Sequence, residues 1–244
     1  MNVISAASSA IACANIALIK YWGKRETARN LPAVGSISLT LEALRTETTV
    51  KFDPLLDKDS LAINQMAVPE TQRLRVSRFL DLIRREAGHH TYASVTSTNN
   101  FPTGAGLASS ASAFAALTLA AANAAGLTLT EKELSVLARQ GSGSAARSVY
   151  GGIVEMKAGH DLTGDDDYAM QLADENYWDL KLLILITSVS PKGIGSTDAM
   201  NATAVTSAYY QKWVDTADQD LAEMRVAIEQ KDFDKLGELA EYSA

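Results

Sequence analysis

The ten residues Phe101-Pro102-Thr103-Gly104-Ala105-Gly106-Leu107-Ala108-Ser109-Ser110 run straight into an alanine-rich stretch, Ala111 to Ala125. Alanine has the highest helix propensity, Phe114, Leu117 and Leu119 supply apolar contacts, and Gly126 stands where a helix would stop. A Gly-Ala-Gly turn lets the backbone approach a ligand closely. The helix start behind it points free N–H groups and a positive dipole end at whatever sits there. Ser109 and Ser110 add hydroxyls in the first turn, suited to phosphate oxygens or to a magnesium ion. The loop lacks the Gly-Lys-Ser/Thr ending of a Walker A sequence, which excludes a P-loop NTPase signature. The plainer alternative is a glycine-rich turn capping a core helix.

A second cluster, Gly141-Ser142-Gly143-Ser144-Ala145-Ala146-Arg147-Ser148, again combines small hydroxyl residues with one arginine. A guanidinium binds phosphate or carboxylate in bidentate fashion, so either anion suits it; the alternative is an exposed connector. Two such clusters in one small protein point to a doubly phosphorylated site, or to a nucleotide beside a phosphorylated substrate. A third segment, Ala14 to Arg25, passes from apolar residues into Lys20, Tyr21, Trp22, Lys24 and Arg25 at an expected strand end. Its lysines can neutralise a phosphate as point charges; the alternative is a solvated charged turn.

The rest of the 244 residues sets limits. Hydrophobic residues at 47% and charged residues at 21% are enough for a sizeable core. The net charge of −7, with no basic stripe, argues against nucleic acid. No apolar run is long enough to span a bilayer, and Met1 to Ala17 has no basic start, so neither a membrane span nor a signal peptide is expected and the location is cytoplasmic. The single Cys13 excludes an internal disulfide and a cysteine-cluster zinc site. His89, His90 and His160 are expected at the surface, and Asp165-Asp166-Asp167 in a solvated loop. Strands are expected over Thr46–Asp53, Ala93–Asn99 and Leu180–Val189. Helices are expected over Gln72–Ala87, from a capping box at Thr130 and Glu133 to about Gln140, over Ser207–Gln230 and over Phe233–Tyr242. Strands and helices mix without strict alternation, so the class is α+β. Residues 1–180 form one lobe and 181–244 part of a second.

These motifs carry a family likeness. Pro102 to Ser110 resembles the phosphate loop of the GHMP small-molecule kinase superfamily. Asn15 to Lys24, Gly141 to Arg147 and Tyr150-Gly151-Gly152 resemble the diphosphomevalonate decarboxylase family specifically. Leu31-Pro32, Ser36 to Leu41 and Gly195-Ser196-Thr197-Asp198-Ala199-Met200 fit the same family, and the likeness covers essentially the whole chain.

The resemblance implies a two-lobed GHMP-kinase-like fold whose N-terminal lobe is like domain 2 of ribosomal protein S5. It implies ATP with magnesium, a homodimer, and a step of the mevalonate route to isoprenoids. In that step ATP phosphorylates the 3-hydroxyl of mevalonate 5-diphosphate. Phosphate then leaves as carbon dioxide is lost, giving isopentenyl diphosphate. Relatives acting on the monophosphate, or stopping at 3-phosphorylation, are the alternatives. Carried over by residue, Arg147 faces the substrate carboxylate, Asn15 orients it, and Lys20 lies close by. Tyr21, Lys24, Ser142, Gly143 and Ser144 hold the substrate, with Ser196 and Thr197 approaching from the second lobe. Pro102, Gly104, Ala105, Gly106, Leu107, Ala108, Ser109 and Ser110 cradle the ATP phosphates, with Ser109 or Ser110 toward magnesium. The family's catalytic aspartate sits in an Asp-Ala-Gly-Pro-Asn-like segment that this sequence lacks. The second lobe is therefore expected to be truncated, and a form that binds phosphorylated ligands without turnover is a further alternative.

Overall fold

The computed structural model describes residues 7–102, 107–185 and 193–244. Its elements in chain order are strands β1 (Ser8–Ile19), β2 (Lys24–Glu26), β3 (Leu31–Pro32), β4 (Ser36–Phe52), β5 (Ser60–Ile63) and β6 (Met66–Ala67), and helix α1 (Glu70–Ala87). Strand β7 (Ala93–Asn99), helices α2 (Ser109–Ala124) and α3 (Glu131–Gly141), and a 3₁₀ helix (Gly143–Val149) follow. Strands β8 (Ile153–Met156) and β9 (Ala169–Ala173) and helices α4 (Ser196–Thr206), α5 (Tyr210–Gln230) and α6 (Phe233–Tyr242) complete the chain. The class is the expected mixed α+β.

Strand β4 is the hub of a seven-stranded sheet. Its first residues pair with β8, its second half pairs with β7, and β1 runs antiparallel to both halves across a bulge at Cys13/Ala14. The expected strand Thr46–Asp53 is thus only the end of a much longer one. Alternation along its start sends Ser36 and Ser38 to one face and Ile37 to the other, which divides the packing. On one side, α1 and the alanines of α2 cover Val50, Phe52 and Val95, with Phe79 and Phe114 edge to face. Small side chains let α2 lie close to the sheet. On the other, Leu221, Met224, Ile228, Leu236 and Leu239 of α5 and α6 pack on Ile19, Ile37 and Ile153.

Local signals explain several element ends. Thr130 and Glu133 form the capping box, α1 stops at Gly88 in the left-handed region, and α6 is capped by Asp232 accepting from the Lys235 N–H at 3.0 Å. Three expectations need correction. Residues 180–185 form no strand: Leu180, Leu182 and Ile184 face a cavity shared with β4 and β8 but enter no ladder; residues 186–189, the rest of that run, lie outside the described residues. The acidic run is not one solvated loop: Asp167 is fully buried on two arginines, while Asp166 accepts the N–H groups of His160 and Asp161. His89 is half-buried, its ring edge-on to Phe52 at 4.7 Å, rather than a surface residue. No described helix is long and apolar enough to cross a membrane.

Candidate active site

Strand β1, paired with β4 along one side, ends at the buried Ile19, and residues 20–23 lead from it to Lys24 at the start of β2. There the start of α2, the 3₁₀ helix after α3, and the start of α4 converge on one cleft of about 720 Å³. Asn15, Lys20, Tyr21, Lys24, Ser142, Gly143, Ser144 and Arg147 line it, as do Ala108, Ser109, Ser110, Ser196 and Thr197. Pro102 is exposed, and neither it nor Leu107 lines the cleft. Gly104, Ala105 and Gly106 lie outside the described residues.

At the rear of the cleft Arg147, only 2% exposed, donates from Nε to Ser38 Oγ at 2.9 Å and from one terminal nitrogen to Ser36 Oγ at 2.6 Å. The other terminal nitrogen reaches Asn15 Oδ1 at 3.0 Å. Asn15 in turn donates to Ser148 Oγ at 2.7 Å and to the Ser144 carbonyl at 3.1 Å. All these acceptors are neutral, and no described carboxylate pairs with Arg147. Burial lowers its pKa to about 10. A buried cation without a counter-ion is costly, so the guanidinium is held rigidly with its charge uncompensated.

The walls repeat the theme. Lys24 Nζ donates to Thr197 Oγ1 at 3.0 Å, which ties β2 to the first turn of α4. Lys20 Nζ donates to the Ala17 carbonyl at 2.9 Å. Burial, and secondarily a nearby arginine in each case, pulls both lysines below their ordinary pKa, Arg147 acting on Lys20 and Arg75 on Lys24. Tyr21 is buried, its hydroxyl so close to Gly143 that a Cβ there would come within 2.2 Å. Ser142 Oγ donates to Ser110 Oγ at 3.3 Å, so the two glycine/serine clusters meet. Helix α2 has no side-chain cap, and Ala108 before it adopts φ 53°. The positive end of the helix therefore faces the cleft. Among the described lining residues Lys20, Lys24, Arg75 and Arg147 stand against a single carboxylate, Asp198.

Several contributors were not among the sequence candidates. Arg75 on α1 donates to the Gly141 carbonyl at 2.8 Å and lies 4.6 Å over the Phe114 ring; nothing local in α1 marks it. Ser36 and Ser38 had a usable signal, a pair of hydroxyls at period two flanking a buried isoleucine. Trp22, Asn30 and Asp198 also line the cleft.

A cleft so provided with cations, hydroxyls and a helix start is suited to anions, and it sits in an α+β protein of GHMP-kinase-like architecture. Residues 12–169 match the diphosphomevalonate decarboxylase-like N-terminal domain, and residues 182–242 the mevalonate 5-diphosphate decarboxylase C-terminal domain. The chain therefore belongs to the diphosphomevalonate decarboxylase family. It is 40% identical over 241 residues to the diphosphomevalonate decarboxylase of Schizosaccharomyces pombe, covering 92% of this chain and 61% of that protein. A solved mevalonate diphosphate decarboxylase from Enterococcus faecalis superposes with a TM-score of 0.86 at 42% identity, over 97% of this chain and 72% of that one. Another, described as MDDEF in complex with MVAPP, AMPPCP and magnesium, gives 0.87 at 41% identity, with 97% and 72% covered. The chain spans less than two thirds of the length of the curated relatives it matches first.

Proposed function

We propose that this chain carries the substrate cleft of an ATP-dependent decarboxylase that converts mevalonate 5-diphosphate to isopentenyl diphosphate. The observation that carries the reading is Arg147, buried without a carboxylate partner in the same cleft as the start of α2. Support comes also from the relatives, which are named for this reaction or solved with MVAPP, AMPPCP and magnesium.

The residues fit a nucleotide and its metal. The uncapped start of α2 with Ser109 and Ser110 suits phosphate oxygens, and serine hydroxyls with Asp198 are the hard oxygen donors magnesium takes. Bound there, ATP with magnesium supplies the phosphoryl group that turns a tertiary hydroxyl into a leaving group. The remaining work falls to this chain's own side chains. Tyr21, Lys24, Ser142, Gly143, Ser144 and Thr197, with Arg75, hold the substrate diphosphate. Arg147, fixed by Ser36, Ser38 and Asn15, holds the carboxylate so that the bond to be broken keeps one orientation. Lys20, its pKa lowered by burial and by Arg147, releases a proton beside that carboxylate more readily than an exposed lysine would.

The test mixes the protein with mevalonate 5-diphosphate and magnesium ATP and measures carbon dioxide and ADP together. Where turnover is measurable, equal release of both is expected, and loss of both in a Ser109→Ala/Ser110→Ala double variant. ADP release without carbon dioxide would replace the decarboxylase by a 3-kinase; rates equal to the double variant's would refute turnover by this chain. The same reading includes a homodimer, a cytoplasmic location, and lobes divided near residue 180, which sedimentation, fractionation and limited proteolysis address.

A further inference from the structure

Behind Tyr21 lies a layer of charge that the substrate contacts leave unused. Asp167, fully buried, accepts from both terminal nitrogens of Arg25 at 2.6 Å each, and a terminal nitrogen of Arg139 lies 3.4 Å from the same carboxylate. Arg139 is 0% exposed, yet among the described residues none of its three guanidinium nitrogens makes a hydrogen bond. The backbone at Gly164 sits directly on it, where a Cβ would lie 2.7 Å from one terminal nitrogen. Asp161, Asp165 and Asp166 act on these arginines from exposed or half-exposed positions, so within the buried layer one carboxylate shared by two arginines leaves a positive charge over. Burial lowers the Arg139 pKa, but an arginine keeps its proton at any ordinary pH. Such a charge weakens the fold unless something else uses it.

Its location shows what can. Arg139 stands on α3 just ahead of Ser142, Gly143 and Ser144. Asn30 Nδ2 donates to the carbonyls of Arg139 and Gln140 at 3.1 and 2.9 Å, and the Tyr21 hydroxyl donates to the Asn30 carbonyl at 3.5 Å. Arg25 follows Lys24 in β2. Asp167 therefore joins the hairpin that carries Lys24 to the helix that delivers the serine turn, with Tyr21 enclosed between them.

We propose that Arg139, Asp167 and Arg25 form a positioning unit for the anion cleft. Asp167 fastens its two walls together, and the surplus charge of Arg139 favours the more highly charged of two anions. This rests on the cleft being an anion site. The unit touches no reacting atom.

The experiment titrates inorganic pyrophosphate and inorganic phosphate calorimetrically into the full chain and into Arg139→Met, Arg139→Lys and Arg25→Met, at low and high salt. Thermal unfolding confirms that each variant is folded. Arg139→Met is expected to lose about tenfold in pyrophosphate affinity, less for phosphate, with a shallower salt dependence, as removal of one charge near the site requires. Arg139→Lys should recover most of that loss by restoring the charge. A folded Arg139→Met that binds both anions as wild type does overturns the proposal. Equal losses on both anions without rescue by lysine do so as well, because they describe a merely structural residue. Should Arg139→Met not fold, Arg25→Met decides: it leaves Arg139 and Asp167 paired one to one, and pyrophosphate affinity should again fall more than phosphate affinity. Wild type that binds neither anion removes the anion-cleft reading itself, whereas binding unaltered in the variants removes only this unit.

Discussion

Arg84 on α1 and Arg147 after α3 are both almost wholly buried, 4% and 2% exposed, and their surroundings are opposite. Arg84 is enclosed by anions: its terminal nitrogens each reach Asp59 at 3.0 Å, one also reaches Asp81 at 2.8 Å, and that one donates to the Ser77 carbonyl at 3.1 Å. Asp59 further accepts from the Ala93 N–H at 2.7 Å and from the Ser77 hydroxyl. Burial opposes its charge, but hydrogen bonds to Asp59 and Asp81 outweigh that and hold the Arg84 pKa above the ordinary value. Arg147 meets only Ser36, Ser38 and Asn15, and burial brings it down to about 10. A buried arginine that serves the fold has its counter-ion built in. One whose partners are neutral is free to meet an anion from outside, as proposed for Arg147.

The contrast can be broken at its structural end first. Asp59→Ala would leave Arg84 buried and without its main partner, which typically costs about 3–5 kcal/mol. Denaturant unfolding should show a loss of that order, with pyrophosphate affinity unchanged in whatever fraction remains folded. An unfolding midpoint like the wild type's would erase the distinction. Gly143→Ala sharpens the other end. Its methyl would collide with the Tyr21 hydroxyl, and overpacking of this kind costs about 1–3 kcal/mol. The expected result is a displaced Tyr21 and anion affinity lower by at least tenfold, read calorimetrically; full affinity would mean that the serine turn and Tyr21 do not act together.

The smallest effect is in pH. Burial holds Lys20 and Lys24 below the ordinary lysine value of 10.5, so the unfolded chain binds more protons than the folded one in the window below it. Stability contributed by these lysines therefore rises with pH through that window, while anion affinity falls as they lose charge. Comparing wild type with Lys20→Met and Lys24→Met from pH 8 to 10.5 separates their part. Stability and affinity that move in the same direction would contradict the lowered values.

How far such features can be read from sequence depends on whether their cause is local. The capping box at Thr130, the extent of β7 and the bounds of α6 follow from short-range signals. The glycine/serine clusters and the Lys20–Lys24 turn were legible as anion chemistry, and the structure brings Ala108 to Ser110, Ser142 to Ser144, Arg147, Lys20, Tyr21 and Lys24 into one cleft. What escaped depends on partners far along the chain. Residues 180–185 have the composition of a strand, but strand composition does not place them in a ladder. Asp167 looks like its exposed neighbours until Arg25 and Arg139 arrive from elsewhere. Arg75 and the pairing of Ser36 and Ser38 with Arg147 likewise exist only once α1, β4 and the 3₁₀ helix are packed.

Arg147→Met tests the difference between the two arginines most directly, when unfolding and the binding of mevalonate 5-diphosphate are measured on the same preparation. With no carboxylate left behind, the variant is expected to be at least as stable as wild type and to lose affinity tenfold or more. Where turnover is measurable it should fall on the order of 10²–10³, as for loss of one preorganised charge contact. A variant that unfolds as readily as Asp59→Ala and still binds the substrate normally would place Arg147 with Arg84, as a structural residue.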